Sequence, residues 1–324
     1  MNKLNALILS SAAIGVLAGC SANASSDEQP EKITLDYAYY SPTSLVLKEQ
    51  GLVEEALADE GIEVEWVLSQ GSNKALEFLN SRSVDFGSTA GAAALIAKSN
   101  GSPVESVYLY AKPEWTALVA AEGSDIQSVE DLKGKKVAAT LGTDPYIFLL
   151  RALEEAGVSS DEVEIVNLQH PDGANALSSD QVDAWAGLDP HMARTELDTN
   201  AELIYRNPDF NTYGTLNVRS EFAEDFPEIV EEVIAQYEAA REWTIANPDA
   251  AAQILAEEAE MNLDVAKASL ARNDFSNPVI GDEHTEALIA AGEVLRQEEV
   301  IDQDADIEAL VNELLNPSFT ESLE

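Results

Sequence analysis

Short polar turns that join a strand to the start of a helix are the segments of this sequence with the clearest potential for chemistry. Ser41-Pro42, Gly71-Ser72-Asn73 and Gly142-Thr143-Asp144-Pro145 each follow an apolar segment, and two further turns are Gly87-Ser88-Thr89-Ala90-Gly91 and Pro171-Asp172-Gly173. Helix N-termini carry unpaired N–H groups and partial positive charge, so several that converge would bind a small anion. Every helix needs a cap, so one such turn indicates only structure, whereas their repetition indicates a site.

Asp144 and a few aromatic residues determine what else such a site could hold. An Asp before a Pro is a good N-cap, and this is the ordinary role for Asp144. If Asp144 faces a cleft instead, its charge would repel a bare anion and could hold the ammonium group of a zwitterion. Tyr39, Tyr40 and Tyr213 fall in predicted loops, where aromatic side chains often form pocket walls. Trp185 falls in a predicted strand, where packing in the core is the ordinary role.

Enzymatic motifs give little support for catalysis. His170, His191 and His284 are the only histidines, and their spacing matches no metal site. The sequence contains no G-x-S-x-G, Walker A or G-x-G-x-x-G motif. No catalytic residue, metal or cofactor is therefore expected, although a triad assembled from distant residues stays open as an alternative.

Strand and helix patterns alternate along the first two-thirds of the chain. Segments rich in Val and Ile predict strands over 33–38, 62–67, 84–87, 104–110, 117–121, 136–140, 163–168, 183–187 and 214–218. Helical patterns lie between them, over 42–60, 73–81, 90–99, 128–132, 145–156 and 173–178. After Arg219 the pattern is helical only, with breaks at Asn247-Pro248 and Asn277-Pro278.

This alternation predicts an α/β protein with two lobes, each a mixed sheet flanked by helices, and a cleft between the lobes. The first lobe is expected over 33–114 and the second over 115–216, and residues 217–324 are expected to return to the first lobe as helices. Ligands of open α/β sheets lie beyond the carboxyl ends of the strands, so the polar turns of both lobes are expected at this cleft.

The charge of the chain narrows the class of partner. Sixty acidic residues against 18 basic residues give a formal net charge of −42. Nucleic-acid binding needs clustered Lys and Arg to contact phosphates, so it is excluded as a function. The acidic residues are spread along the predicted helices, which indicates a solvated surface adapted to salty or alkaline surroundings.

The N-terminus is typical of an exported lipoprotein. Lys3 precedes an apolar stretch over 6–16, which is shorter than the roughly 20 residues that span a bilayer and fits an export signal. Leu17-Ala18-Gly19-Cys20 resembles the bacterial lipobox, in which the Cys carries diacylglycerol and becomes the new N-terminus. We therefore expect a signal peptide over 1–19, lipidation at Cys20, and a flexible tether over 20–32. The chain would then be anchored by lipid to the cell membrane on its extracytoplasmic face.

Several segments, taken in order, resemble the binding proteins for sulfonates, nitrate and thiamine precursors. They are LNSRSVDFGST at 79–89, VEDLKGKKVA at 129–138, LLRALEEAG at 149–157, VEIVNL at 163–168 and VDAWAGLDP at 182–190. The ordered set is most similar to the branch that binds aliphatic sulfonates and taurine. The resemblance implies a type II periplasmic-binding-protein fold and a monomer that delivers a solute to an ABC permease and its ATPase.

The resemblance also implies which residues contact the solute. Relatives use the loops that correspond here to 39–43, 71–72, 88–91 and 142–144, and the surroundings of Trp185 and Asp189. The substrate-binding residues expected on this basis are Tyr40, Ser41, Ser72, Ser88, Thr89, Gly142, Thr143, Asp144, Trp185 and Asp189.

The expected ligand is a small organosulfonate, either an alkanesulfonate or taurine. The resemblance implies hydrogen bonds to the sulfonate from Ser88, Thr89 and Thr143, and an amine contact at Asp144. Asp144-Pro145 and Gly187-Leu188 depart from the pattern of sulfonate-binding relatives, which makes zwitterions or a heterocycle more plausible than simple alkanesulfonates. A thiamine pyrimidine precursor, a surface-anchored hydrolase and a purely structural lipoprotein are the alternatives.

Overall fold

The protein is described by a computed structural model that covers residues 29–323. The expected signal peptide, Cys20 and most of the expected tether lie outside the described residues. Within them, no helix has both the length and the apolar character needed to cross a membrane.

The elements alternate as the sequence predicts up to the end of the second sheet. The strands are β1 (Lys32–Tyr37), β2 (Glu63–Leu68), β3 (Phe86–Ala90), β4 (Val104–Pro113), β5 (Thr116–Ala120), β6 (Lys136–Ala139), β7 (Glu164–Asn167), β8 (Ala184–Leu188), β9 (Glu202–Tyr205), β10 (Gly214–Arg219) and β11 (Asn273–Asp274). The helices are α1 (Pro42–Gln50), α2 (Leu52–Ala56), α3 (Ser72–Asn80), α4 (Gly91–Ser99), α5 (Asp144–Glu155), α6 (His170–Ser178), α7 (His191–Thr199), α8 (Ser220–Asp225), α9 (Pro227–Ala246), α10 (Pro248–Glu258), α11 (Leu263–Leu270), α12 (Asp282–Gln297) and α13 (Ile307–Leu314).

The strands form two mixed sheets, one in each lobe. The first sheet has the order β11-β4-β10-β3-β1-β2, and the second has the order β7-β6-β8-β5-β9. β1 pairs in parallel with β2 and β3, and β6 pairs in parallel with β7 and β8. β10 runs antiparallel between β3 and β4, and β5 runs antiparallel between β8 and β9. The crossover helices between parallel strands place their N-termini at the carboxyl ends of the strands.

The chain crosses between the lobes twice. It leaves the first sheet between β4 and β5 and returns between β9 and β10. The return is complete at Gly214, three residues before the boundary expected at 217, because β10 belongs to the first sheet. The helices after β10 pack mainly on the first lobe, where α9 contacts α1 and α12 contacts α4. The first lobe therefore contains most of the apolar core.

The bounds of two predicted elements differ clearly from the structure, and some elements of the structure lack a prediction. The helix predicted over 42–60 is divided at Gly51, which adopts a left-handed conformation with φ of 63° and ends α1. The strand predicted over 84–87 extends to Ala90, so Ser88 and Thr89 lie in β3 and not in a loop. β9 and α7 lack a prediction, because β9 has only 4 residues and α7 is rich in polar residues. The 2-residue strand β11 forms within the region that was predicted to be helical only.

Candidate functional site

Four helices begin beyond the carboxyl ends of strands with a first turn that no side chain caps among residues 29–323. α1 follows β1, α3 follows β2, α5 follows β6 and α6 follows β7, and none of these starts has a side-chain cap hydrogen bond in the described part of the chain. The start of α4 is different because Thr212 closes it. The Thr212 carbonyl oxygen accepts from Gly91 N at 3.0 Å, and its hydroxyl accepts from Ala92 N at 2.9 Å. The other four first turns can therefore donate to an anion, whereas that of α4 cannot.

The starts of α3, α5 and α6 meet across the cleft. A Cβ atom at Gly71 would lie 2.9 Å from Nε2 of His170, and a Cβ atom at Gly142 would lie 3.9 Å from Cβ of Asn73. Gly71 and Asn73 belong to the first lobe, and His170 and Gly142 to the second. The two lobes are thus in contact at these turns, and Gly71 has no room for a side chain. Gly142 has a φ of 73°, a left-handed conformation that favours glycine.

Asp36 lies at the carboxyl end of β1 and is buried in the first lobe. Its Oδ1 accepts from Ser88 N at 2.7 Å, whereas its Oδ2 has no hydrogen-bond partner among residues 29–323. Burial raises the pKa of this carboxyl to about 7, and the nearby Ser69 hydroxyl and Ser88 N–H only partly oppose this effect. A buried carboxylate without a counter-charge is costly, so Asp36 is a candidate for contact with a ligand.

Three tyrosine hydroxyls lie around Asp36. The Tyr40 hydroxyl donates to Ser88 O at 2.8 Å, and the Tyr110 hydroxyl donates to Thr89 O at 3.4 Å. The Tyr237 hydroxyl comes from α9 and has no partner within the described chain. Burial raises the pKa of all three phenols, and the negative charge of Asp36 raises each of them further. The phenols therefore stay protonated and can donate hydrogen bonds at any physiological pH.

Small hydroxyl residues complete the first-lobe side of the site. Ser41 is the residue before α1, and its Oγ is buried without a partner in the part of the chain that the structure describes. The same holds for Thr43 Oγ1, Ser69 Oγ and Ser88 Oγ. Because buried polar atoms are nearly always hydrogen-bonded, this concentration of unpaired hydroxyls indicates a place where a ligand or water binds.

His170 contributes from the second lobe, at the first position of α6. The Thr140 hydroxyl donates to Leu168 O at 2.7 Å, so the 3.2 Å contact between Thr140 Oγ1 and His170 Nδ1 must be donated by the imidazole. His170 Nε2 is then an acceptor, and it has no partner among the described residues. Burial lowers the pKa of His170 to about 3, which keeps the ring neutral.

Both carboxylate oxygens of Asp144 accept hydrogen bonds from other residues of the protein. It is the first residue of α5, and it is buried. Its Oδ2 accepts from Trp115 Nε1 at 2.9 Å and from Thr212 N at 3.0 Å, and its Oδ1 accepts from the Thr212 hydroxyl at 2.6 Å. Burial raises the pKa of Asp144, and the donors from Thr212 and Trp115 oppose this. Trp115 and Thr212 lie in the two crossover segments, so Asp144 ties the second lobe to both connections.

The negative charge of Asp189 is also paired within the protein, by Arg272 from the C-terminal helical region. Arg272 Nη1 lies 3.1 Å from Asp189 Oδ1, and Ala193 N donates to the same oxygen at 2.9 Å. Arg272 also pairs with Glu196 of α7. Burial raises the pKa of Asp189 to about 6 despite the attraction of Arg272. Arg272 directly precedes β11 of the first sheet, so this buried ion pair joins the two lobes.

Four other expected site residues have partners or packing within their own surroundings. The Thr89 hydroxyl accepts from Asn217 Nδ2 at 2.7 Å and lies 3.1 Å from the Thr215 hydroxyl. Ser72 Oγ accepts from Ala90 N at 2.9 Å. The Thr143 hydroxyl donates to Thr140 O at 2.6 Å, so only its backbone can donate to a ligand. Trp185 packs in the core of the second lobe, although its buried Nε1 has no hydrogen-bond partner among the described residues.

The structure therefore brings together part of the expected set and adds residues that the sequence did not reveal. Tyr40, Ser41 and Ser88 surround one polar cluster, with Gly142 and the Thr143 backbone opposite. Sequence reasoning missed Asp36, Ser69, Tyr110, Tyr237 and His170. A carboxylate next to the end of strand β1, directly after the apolar Leu35, was the available signal for Asp36, whereas nothing local distinguishes Tyr237 within a long helix.

Metal binding and histidine chemistry find no support at this cleft. Residues 29–323 contain no group of three His, Cys, Asp or Glu side chains arranged to hold a metal ion. His284 lies elsewhere, where its Nδ1 accepts from Gly281 N at 2.8 Å and its ring packs against Tyr213. The arrangement can bind and orient a polar molecule, but it pairs no nucleophile with a histidine base.

A family model described as NMT1/THI5 like matches residues 57–251, which is more than half of the chain. The chain belongs to the NMT1/THI5-like family. A protein of Bacillus subtilis (strain 168), named as a candidate aliphatic sulfonates-binding protein, is 27% identical over 311 residues, and the alignment covers 94% of each chain. The resemblance read from the ordered sequence segments is thus confirmed.

Solved structures agree on the fold. The alkanesulfonate-binding protein SsuA of Xanthomonas axonopodis pv. citri, bound to MOPS, superposes with a TM-score of 0.81 at 22% identity, over 89% of this chain and 99% of that chain. The two-lobed periplasmic-binding-protein fold expected from the sequence is therefore confirmed. The desulfurization enzyme DSZB also has this fold, with a TM-score of 0.66 at 14% identity over 90% of this chain and 98% of that chain. The fold alone consequently does not separate binding from catalysis.

Proposed function

We propose that the protein is the solute-binding subunit of an ABC importer and that it binds a small organosulfonate between its lobes. The names of the Bacillus and Xanthomonas proteins support a sulfonate as the ligand. Membership of the NMT1/THI5-like family and the two-lobed fold support the role in solute capture.

The observation that carries this proposal is the convergence of uncapped helix starts and unpaired buried hydroxyls at one cleft. A sulfonate has three oxygens that only accept hydrogen bonds. The first turns of α1, α3, α5 and α6 donate N–H groups, and Ser41 and Ser88 add hydroxyl donors. Each helix start contributes only about 0.3–1 kcal/mol when exposed and more when partly buried, so several together are needed for tight binding.

Aromatic side chains provide the wall for the organic part of the ligand. The rings of Tyr40 and Trp115 meet edge to face, with centroids 5.9 Å apart. Both rings are buried. Tyr40 lies in the turn between β1 and α1, and Trp115 lies in the connection between β4 and β5. Such rigid apolar surfaces bind a short alkyl chain while nearby polar groups set its orientation.

The proposed role is binding without catalysis, at the outer face of the membrane. Among the described residues, the hydroxyl in contact with His170 is that of Thr140, and it gives its own proton to Leu168 O while it accepts from His170 Nδ1, so the histidine does not act on it as a base. Lipid on Cys20 would anchor the chain, and the segment over 20–32 would let the lobes reach a permease driven by an ATPase. Stimulation of ATP hydrolysis by the reconstituted permease complex, on addition of ligand-loaded protein, tests this partnership.

Isothermal titration with ethanesulfonate, butanesulfonate and taurine tests the ligand class. Binding should also stabilise the fold, by about 2.7 kcal/mol at a ligand concentration 100-fold above Kd. Ser88→Ala should weaken binding because it removes an unpaired hydroxyl at the site, whereas Ser178→Ala on the exposed side of α6 is the control. Heat from an aminopyrimidine and none from any sulfonate would replace the proposal with the heterocycle alternative.

A further inference from the structure

Three acidic side chains are buried among the described residues, and they differ in how their charge is matched. They are Asp36, Asp144 and Asp189. Asp144 accepts three hydrogen bonds from Trp115 and Thr212, and Asp189 pairs with Arg272. Asp36 accepts one hydrogen bond, and its second oxygen has no partner within residues 29–323. The structure therefore satisfies two of these carboxylates internally, whereas Asp36 Oδ2 has only the nearby hydroxyls of Ser69 and Ser88, neither of which is placed to make a well-formed hydrogen bond to it.

The surroundings of Asp36 supply hydroxyl groups but no positive charge. Across the described chain, no Lys, Arg or His nitrogen lies within 4.0 Å of Asp36, although salt bridges are common elsewhere on the molecule. Its neighbours are the neutral side chains of Ser69, Ser88, Tyr110 and Tyr237. An oxygen that is buried and negatively charged needs a cationic donor to offset the cost of leaving water.

The second lobe adds another unmatched acceptor close to the same segment of chain. His170 Nε2 is an acceptor, because Nδ1 donates to Thr140, and it faces the backbone of Gly71. Gly71 follows Ser69, the residue beside Asp36, by two positions. Asn73 Oδ1, in the first turn of α3, is likewise without a partner among residues 29–323. Unpaired acceptors therefore lie on both sides of the cleft, beside hydroxyls that can either donate or accept, and a ligand that brings N–H groups fits this mixture.

We propose that Asp36 recognises an ammonium group on the ligand and that the preferred ligand is therefore an amino-substituted sulfonate. This inference rests on the proposed function, and it changes the assignment of the amine contact from Asp144 to Asp36. The uncapped helix starts bind the sulfonate end, while Asp36 Oδ2 accepts from the ammonium. Each charge of the ligand is then matched by a fixed group of the protein: the sulfonate by the helix starts and the ammonium by Asp36.

This arrangement distinguishes ligands that differ only at the end away from the sulfonate. Ethanesulfonate is taurine without the ammonium group, so it would leave Asp36 unpaired near an apolar methyl group, whereas isethionate has a hydroxyl group in place of the ammonium. Hydrogen bonds between charged groups stabilise by more than neutral ones, and loss of one here corresponds to about 10- to 100-fold in affinity. Burial also raises the pKa of Asp36, so a bound ammonium would restore the ionised form.

The test compares taurine, ethanesulfonate and isethionate by titration calorimetry on the purified chain. The wild-type protein should bind taurine at least about tenfold more tightly than ethanesulfonate, with isethionate between them or equal to ethanesulfonate. Asp36→Asn keeps an acceptor for Ser88 N and should abolish the preference by weakening taurine alone. Asp59→Asn removes the same charge from an exposed position of the first lobe and should leave the preference unchanged.

The outcomes separate this inference from the proposed function. Equal affinity for taurine and ethanesulfonate in the wild-type protein overturns the role of Asp36 and leaves sulfonate binding intact. Retention of the preference in Asp36→Asn does the same. Binding of none of the three sulfonates overturns both proposals. If Asp36→Asn does not fold, the wild-type comparison still decides, since it requires no variant.

Discussion

A buried acid without a counter-charge lowers the stability of the unliganded fold, and Asp36 makes this measurable. Its pKa rises from an ordinary value of 3.8 to about 7. The folded protein therefore binds this proton more tightly than the unfolded chain does, so the stability is fully present below pH 3.8 and is lost as the pH rises through 7. At about 1.4 kcal/mol per pKa unit, the loss amounts to up to about 4 kcal/mol above pH 8.

Asp36→Asn should consequently stabilise the unliganded protein at pH 8.5 by up to about 4 kcal/mol and have little effect near pH 4. The hydroxyls of Tyr40, Tyr110 and Tyr237 do not titrate in this interval, because burial raises the pKa of each. Urea unfolding at several pH values gives the difference directly. A stability difference that does not change between pH 4 and pH 8.5 would mean that Asp36 is not the titrating group.

Individual residues of the candidate site differ in how well the sequence predicts their role. Ser41 follows from local position, since it directly precedes α1, whereas Ser88 was expected in a turn and lies at the centre of β3. Asp144 was expected to be a cap or an amine contact, but its carboxylate is held by Trp115 and Thr212. Thr212 is 68 residues away along the chain, and no local pattern reports a partner so distant. Contacts between residues distant in sequence therefore determine which buried carboxylate is left without partners and can contact a ligand.

At the scale of elements, the approach of β10 to β4 limits what can occupy position 214. A Cβ atom at Gly214 would lie 2.2 Å from the Tyr110 ring. Gly214→Ala must therefore displace this ring, at a cost of about 1–3 kcal/mol for overpacking. The displacement also moves the Tyr110 hydroxyl away from the site, so ligand affinity should fall together with stability. Urea unfolding and calorimetric titration measure the two effects.

A double substitution provides the control for Gly214→Ala. In a Tyr110→Ala background the ring is absent, so adding Gly214→Ala should cost little further stability. An equal cost in both backgrounds would mean that the effect arises from the backbone of β10 and not from the contact with Tyr110.

Helices and strands were predictable from the sequence where each has a long hydrophobic pattern of its own. The alternation of apolar strands with helices gave both sheets, and the helix starts at 42, 72, 91 and 144 lie within one residue of their predicted positions. The boundaries failed where tertiary pairing overrides the pattern. β3 continues through Ser88 and Thr89 because β10 pairs with it as far as Ala90, and β9 forms because β5 is available beside it.

The whole molecule carries a formal net charge of −42, so its stability should depend on ionic strength. Many of the salt bridges are exposed and contribute little, whereas repulsion acts between all the acidic residues. Raising NaCl from 0.1 to 1 M shortens the screening length from about 10 Å to about 3 Å and should raise the melting temperature. Choline chloride should act equally at the same ionic strength, and a fall in melting temperature would show that attractive pairs dominate.

Contacts between the lobes should determine how readily the cleft closes, and Arg272 is the strongest of these contacts. It pairs with the buried Asp189 and with Glu196, both in the second lobe, while it is anchored beside β11 in the first. Arg194 of α7 adds a second connection through 3.2 Å hydrogen bonds to the carbonyls of Ala259 and Glu260. These contacts join the two lobes in this structure, and we expect separation of the lobes to break them.

Arg272→Gln should therefore favour separation of the lobes, because it leaves the Asp189 carboxylate buried and unpaired unless water can reach it. Removal of one partner from a buried pair costs about 3–5 kcal/mol, and opening recovers part of this. Ligand affinity should fall at least about tenfold, since the closed state would be less populated. Small-angle scattering of the unliganded variant should show a larger radius of gyration. Arg296→Gln removes a charge from an exposed pair on α12 and should change neither property. Lower stability with unchanged affinity would mean that Arg272 supports the fold in both states and does not control closure.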